Sequence, residues 1–163
     1  MKSKEGVVDF KEFLKKKHIL CESYLSRSPE DTKKVAQQIS KKFRNGDIIG
    51  FVGELGSGKT YFIKNIAKNF GIDENEVVSP TFVLMRIYKG KKNIHHFDLY
   101  RIKNYNELEN IGYREYISFA DLVVIEWADR IKEIYNDFNW IINIDYISNK
   151  QRKIKVYKRN ACI

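Results

Sequence analysis

The sequence of 163 residues predicts an α/β domain with a mixed parallel and antiparallel central sheet. Two uninterrupted apolar runs, residues 47–52 and 122–125, are typical of strands buried on both faces, as in parallel sheets. Apolar residues recur at helical spacing over residues 29–45 and 59–70, on either side of the first run. Alternation of helices with buried strands is the pattern of a layered α/β fold.

The helices over residues 29–45 and 59–70 have boundary signals in the sequence. Ser28 is a good N-cap, Pro29 suits the first helical position, and Asp31 follows in a capping-box arrangement. Gly46 is expected to close this helix near residue 45, and Gly71 to close the helix over residues 59–70.

The second half of the chain predicts further strands and short helices. Residues 82–88 and 94–100 flank Lys89-Gly90-Lys91-Lys92, a plausible hairpin turn. The remaining expected elements are a helical segment over 104–118 broken by Gly112, a short helix over 128–136, and strands near 140–146 and 153–158. The hairpin and the last strands supply the antiparallel part of the sheet.

Residues 1–22 are predicted to be an N-terminal extension, and residues 23–163 the domain itself. A short amphipathic helix within the extension would place Val7, Phe10, Phe13 and Leu14 on one side. Two interpretations stay open: a docking arm for a partner, or a helix that packs on its own domain or frays.

Composition excludes several classes of protein. The hydrophobic content of 43% and charged content of 31% are not those of a disordered chain. No apolar run approaches the ~18 residues of a membrane span, and no signal-peptide pattern opens the chain, so we expect a cytoplasmic protein without membrane association. Two cysteines cannot form a disulfide framework. The net charge of +9 is unevenly distributed, with an acidic stretch in the later half, and we interpret it as ordinary surface charge.

Residues 53–60 form the strongest motif, because Gly53-Glu54-Leu55-Gly56-Ser57-Gly58-Lys59-Thr60 fits the phosphate-loop pattern G-x-x-x-x-G-K-[ST]. The glycines allow successive N–H groups to curl around a phosphate, and the following helix directs its positive end there. Lys59 can reach the β- and γ-phosphates, and the Thr60 hydroxyl can ligate Mg²⁺. A buried strand before the loop and a helix after it predict a P-loop NTPase-like three-layer sandwich.

Two acids are candidates for the metal and water chemistry that a phosphate loop requires. Glu126 ends the strand over 122–125, and the alternative is an exposed strand-end acid. Asp98 shares one face of its strand with His96 and Tyr100, while apolar residues alternate with them, which predicts that this face is not core. The alternative for Asp98 is a solvent-facing residue or a partner of Arg101.

Missing motifs favour ATP over GTP. A GTPase would require N-K-x-D for guanine, whereas residues 149–152 read N-K-Q-R and lack the final acid. Neither a D-x-x-G switch nor the LSGGQ signature of transporter ATPases is present.

Five ordered blocks of residues resemble the TsaE (YjeE) family of bacterial tRNA threonylcarbamoyladenosine synthesis, over about residues 25–158. The blocks are Gly53–Thr60, Ser79-Pro80-Thr81-Phe82, His96–Arg101, Glu107-Leu108 with Gly112, and Glu126-Trp127. The N-terminal extension is longer than is typical of the family.

The resemblance implies an ATPase that sustains the turnover of TsaB and TsaD and meets tRNA only indirectly through that complex. We expect slow hydrolysis by the protein alone, because no arginine finger can be assigned from the sequence. The resemblance also implies that Lys59 and the loop amides hold phosphates and that Thr60 and Glu126 bind Mg²⁺. Asp98 becomes a metal-linked or water-orienting acid. Thr81 belongs to a switch segment that senses the γ-phosphate, and Trp127 lies beside the nucleotide.

Two other functions stay open from the residues. A P-loop kinase would use the same nucleotide site, with the basic residues of 86–101 as a lid. A nucleic-acid-binding module would use the acid-free basic cluster within residues 148–163, which contains six Lys and Arg residues.

Overall fold

The computed structural model describes residues 9–161. Its elements, in chain order, are helix α1 (Phe10–Lys17), strand β1 (His18–Ser26), α2 (Pro29–Ser40), β2 (Asp47–Val52), α3 (Lys59–Asn69), β3 (Met85–Tyr88), β4 (Ile94–Asp98), α4 (Tyr105–Asn110), α5 (Tyr113–Ser118), β5 (Leu122–Glu126), a 3-10 helix (Lys132–Asp137), β6 (Trp140–Tyr146) and β7 (Arg152–Arg159).

All seven strands form one sheet in the order β1-β7-β6-β2-β5-β4-β3. The four central strands β6, β2, β5 and β4 are parallel, whereas β7, β1 and β3 add antiparallel pairs at the two sides. The predicted mixed sheet is therefore confirmed. Because the central strands run in one direction, the loops after β2, β4 and β5 meet at the same edge of the sheet.

Helices cover both faces of the sheet and make the predicted three layers. One core cluster joins α2 and α3 to one face, and a second joins α1, α4, α5 and the 3-10 helix to the other. Side chains alternate between the faces, so Ile48 and Ile49, adjacent on β2, belong to opposite clusters. Both are buried, which explains the continuous apolar run in the sequence.

The N-terminus of α2 agrees with its sequence signals, but the C-terminus does not. Ser28 Oγ accepts a hydrogen bond from Asp31 N at 3.1 Å, and Asp31 reaches back to Arg27 N at 3.0 Å. The helix ends at Ser40 rather than near residue 45, because turns through Lys42 and Phe43 replace the helical hydrogen bonds. Phe43 lies beyond the end of the helix but is still buried in the core, as its place in the apolar pattern predicted.

Residues 10–26 are part of the fold. The predicted helix is present as α1, and buried Phe13 packs against Tyr135 with the ring centroids 5.2 Å apart. Strand β1 was not predicted, and the expected boundary after residue 22 falls inside it. This strand lies at the sheet edge and contains a bulge between Leu20 and Glu22, so its apolar residues do not alternate regularly. Val7 lies outside the described residues.

Two other elements are shorter than predicted, and a third is divided as predicted. Strand β3 begins at Met85 rather than at 82, because Leu84 has a left-handed backbone with φ of 67° and closes a turn on Pro80. Gly112, with φ of 82°, separates α4 from α5 as predicted. The expected helix over 128–136 is a 3-10 helix that starts four residues later.

Candidate nucleotide-binding site

The phosphate loop connects β2 to α3 in a shape that requires glycine. Gly53 has φ of 151°, and a Cβ there would lie 2.3 Å from the Ile144 carbonyl oxygen. Gly56 and Gly58 also have positive φ, at 75° and 104°. No side chain caps the N-terminus of α3, so its first N–H groups are available to an anion in the loop. The Glu54 and Leu55 side chains point to solvent, and these residues offer only their backbone to a phosphate.

Lys59 is folded back onto its own loop. Its ammonium donates to the carbonyl oxygens of Gly53 at 2.7 Å and Glu54 at 3.0 Å, and it lies 4.0 Å from the ring centroid of Trp127. Burial lowers the pKa of Lys59, and nearby carboxylates, Glu126 and Asp98 among them, oppose that shift. The ammonium is thus poised within the site but bonded to carbonyls that a triphosphate would outcompete.

Glu126 stands beside the threonine of the loop. Thr60 Oγ1 donates to Glu126 Oε1 at 2.8 Å, and His96 Nε2 lies 2.9 Å from the same oxygen. Because a carboxylate only accepts, His96 is the donor in that contact. The alternative of an exposed strand-end acid is wrong, since only 3% of Glu126 is exposed.

Asp98 lies next to Glu126 on the adjacent parallel strand, in direct register. Its Oδ2 accepts hydrogen bonds from Ser79 at 2.6 Å and Thr81 at 2.7 Å. Its Oδ1 accepts from the Tyr100 N–H at 2.9 Å. The alternative of a solvent-facing Asp98 is wrong, because its exposure is 1%, and its partners are hydroxyls rather than Arg101.

The polar face of β4 is buried, contrary to the expectation that it lies outside the core. His96 is 0% exposed, and its Nδ1 lies 3.2 Å from the Tyr88 hydroxyl, which donates to the Val78 carbonyl. This chain of hydrogen bonds orients the imidazole toward Glu126. A polar face can thus be buried when every polar group has a partner.

These side chains line one cleft of about 420 Å³ at the carboxyl edge of the sheet. Its lining includes Lys59, Thr60, Thr81, Asp98, Glu126 and Trp127, so the structure brings together all six predicted residues that contribute side chains. A second cavity of about 200 Å³ adjoins it across Gly58 and Tyr61, between the start of α2 and the loop before β7.

Arg152, which no sequence motif marks, supports the loop from outside. Its guanidinium donates to the carbonyl oxygens of Ser57 at 2.9 Å and Gly56 at 3.4 Å, and lies 4.5 Å from the Tyr146 ring centroid. Ninety-five residues separate Arg152 from Ser57, so no local pattern could reveal the contact. His96 and Ser79 stood within recognised motifs, but their roles required the geometry.

The residues fit a magnesium ion bound together with phosphate. Mg²⁺ prefers hard oxygen ligands, and in phosphate sites it uses one or two carboxylates plus substrate oxygens and water. The Thr60 hydroxyl and Glu126 carboxylate are adjacent donors of this kind. Within residues 9–161, no three His, Cys, Asp or Glu side chains form a metal cage by themselves, so the phosphates would have to complete the coordination.

Comparison with known proteins gives the family. The model described as "Threonylcarbamoyl adenosine biosynthesis protein TsaE" matches residues 26–154. The chain belongs to the TsaE family. The TsaE protein of Rickettsia prowazekii is 35% identical over 134 residues, which cover 82% of this chain and 92% of that protein. The Treponema pallidum TsaE is 31% identical, covering 81% and 97%.

A solved structure supports the fold independently. The crystal structure of Bacillus subtilis YdiB superposes with a TM-score of 0.67 at 24% identity, covering 87% of this chain and 88% of that one. This likeness supports the α/β fold of the chain, and the family acts in tRNA threonylcarbamoyladenosine biosynthesis. Among the described residues, every helix is too short or too polar to cross a bilayer.

Proposed function

We propose that this TsaE-family chain is a magnesium-dependent ATPase that sustains tRNA threonylcarbamoyladenosine synthesis together with TsaB and TsaD homologues. The observation that carries the proposal is the convergence of Lys59 and Thr60 with two buried carboxylates, Asp98 and Glu126, in one cleft. The family supports the biosynthetic role. A role in tRNA modification implies the cytoplasm.

Binding begins with the backbone of residues 53–58. The loop N–H groups and those at the α3 N-terminus donate hydrogen bonds to the β-phosphate, while the Lys59 ammonium leaves the Gly53 and Glu54 carbonyls for the phosphate oxygens. The second cavity continues from the loop past Tyr61 and Pro29, and takes the nucleoside end of ATP. Trp127 closes the other side of the phosphate cleft.

Hydrolysis requires an acid near the metal and an acid near the water. The chemistry that a bound Mg²⁺ would supply is neutralisation of the negative charge on the phosphates. Thr60 and Glu126 would hold the ion through oxygen atoms that here contact each other, and His96 fixes the Glu126 carboxylate. Asp98 orients the attacking water once Thr81 or Ser79 exchanges its bond to Oδ2 for one to the γ-phosphate. The segment 79–84 thereby reports which nucleotide is bound.

We infer partner activation from the charged side chains near the cleft. Arg130 reaches its rim, with the guanidinium carbon 5.3 Å from the Tyr100 ring centroid, but it stacks on aromatic rings rather than facing the phosphate loop. Within residues 9–161 no arginine lines the cleft beside Lys59, so we expect slow hydrolysis by the free protein and faster hydrolysis with TsaB and TsaD.

The test is phosphate release from ATP, measured with and without the partners. Radiolabelled ATP should yield inorganic phosphate as the sole labelled product, which excludes the kinase alternative. Equal rates with and without TsaB and TsaD would refute partner activation. Label transferred to a protein or small molecule would refute the hydrolase assignment.

A further inference from the structure

The fold collects basic side chains at the edge of the sheet opposite the nucleotide cleft. The four parallel strands start there, β7 ends there, and the β3–β4 hairpin turns there. We call this surface the amino edge, and it comprises residues 41–47, 89–93, 119–121, 137–139 and 158–160. Hydrogen bonds join these segments: Gly46 N to Asp121 O at 2.9 Å, and Arg159 N to Asn139 O at 2.8 Å, are examples.

The charge of the amino edge is strongly one-sided. It carries eight basic residues, namely Lys41, Lys42, Arg44, Lys89, Lys91, Lys92, Lys158 and Arg159, against three acids, Asp47, Asp121 and Asp137. All of the basic residues except Lys92 are exposed. Within residues 9–161, Lys42 alone of the eight forms an ion pair, with Glu22. The other basic groups are therefore available to an external anion.

The three acids of this edge are engaged with the protein itself. Asp47 Oδ2 accepts from Trp140 Nε1 and from Arg44 N, both at 2.9 Å. Asp121 accepts from Asn93 N at 2.8 Å, and Asp137 is paired with Arg114. These carboxylates hold the turns in place, whereas the cations project outward.

The basic segments are far apart in the sequence, and only the topology unites them. Sequence alone favoured ordinary surface charge, because acidic stretches interrupt the basic ones. Strand β7 lies four strand spacings from β4 and five from β3 in the sheet, which amounts to about 19 to 24 Å. A cleft of about 220 Å³ on this edge, lined by Lys42, Arg44, Lys158 and Arg159, provides a concave part of the strip.

We propose that the amino edge is a docking surface for the sugar-phosphate backbone of RNA. A nucleic-acid duplex carries about one charge per 1.7 Å of axis, so a strip of this length meets several phosphates at once. Apolar side chains that would insert into a bilayer are few here, since Trp140 and Phe43 are buried and Phe119 alone is well exposed. The contact goes beyond the ATPase role, because it lies away from the nucleotide cleft.

Fluorescence anisotropy of a labelled, unmodified tRNA transcript tests the proposal without nucleotide. The test variant is Lys41→Gln/Arg44→Gln/Lys158→Gln, and the matched control is Lys103→Gln/Lys132→Gln/Lys153→Gln. Both triples remove three exposed charges, but the control residues lie away from the amino edge. Phosphate release from ATP is measured for all three proteins, so a failure of the ATPase proposal is seen separately.

We expect the wild type to bind with log K falling linearly with log salt. The amino-edge triple should lower the magnitude of that slope by about 2 to 3, and weaken binding at least tenfold at 50 mM salt. The control triple should change the slope and the affinity much less, and ATP hydrolysis should be unaffected in both triple variants. Equal loss in the two triples, no RNA binding by the wild type at 50 mM salt, or tighter binding to phosphatidylserine vesicles than to RNA would each overturn the proposal.

Discussion

Replacement of Arg152 by Met should weaken ADP binding although Arg152 does not need to touch the phosphates. The loop N–H groups can point inward only while the carbonyls point outward, and Arg152 binds two of those carbonyls. The 2.9 Å bond to Ser57 is charge-assisted and contributes about 1.5 to 3 kcal/mol, whereas the 3.4 Å contact to Gly56 is weak. Discounted for partial exposure, the loss is about 1 to 2 kcal/mol, or a five- to thirtyfold higher Kd.

Isothermal titration calorimetry with ADP measures this effect, with Lys153→Met as the control for its exposed neighbour. Arg152 could act by positioning the phosphate loop or by contributing to the binding of the nucleoside. Adenosine, which lacks phosphates, separates these two roles. A loop-positioning role predicts weaker ADP binding with adenosine binding little changed. An unchanged Kd for ADP, or an equal loss for ADP and adenosine, would refute the reasoning.

Three further changes test other parts of the site. Gly53→Ala should abolish ADP binding in calorimetry, because the new Cβ would lie 2.3 Å from a carbonyl oxygen. Gly56→Ala has open space around it, so it should reduce the free energy of ADP binding by only about 1 kcal/mol. His96→Gln should free Glu126 and so raise the Mg²⁺ concentration needed for half-maximal hydrolysis about tenfold; an unchanged magnesium titration would contradict this. Burial lowers the pKa of His95, so as the pH falls this histidine is protonated in the unfolded chain before it is protonated in the folded protein. Stability in urea should fall by up to about 1.4 kcal/mol per pH unit below pH 6.5, and less in His95→Gln.

Local sequence signals located most of the helices and strands. Gly112 separates two helices and Ser28 caps one, because those conformations depend on the residue itself and its near neighbours. Strand β1 was missed because an edge strand is defined by its partner, β7, which is 126 to 141 residues away in the chain. The turn at Leu84 was missed for a related reason, since a positive φ at leucine is held by surrounding structure rather than favoured by the residue.

The candidate site was predictable to the extent that motifs mark it. Lys59, Thr60, Asp98 and Glu126 were identified and do converge. Their hydrogen-bond partners could not be assigned from the sequence, because folding alone brings His96 to Glu126 and Thr81 to Asp98. The amino edge shows the same limit for charge, since a basic surface made from distant turns has no sequence signature.

The central claim is that Glu126 supports partner-stimulated ATP hydrolysis. The most direct measurement is phosphate release at saturating ATP and Mg²⁺ with TsaB and TsaD present, for wild type, Glu126→Gln and the exposed control Glu133→Gln. We expect a stimulated rate for wild type and Glu133→Gln, and a loss of at least a hundredfold for Glu126→Gln, about 2.7 kcal/mol, with ADP still bound. A Glu126→Gln rate equal to that of wild type would contradict it.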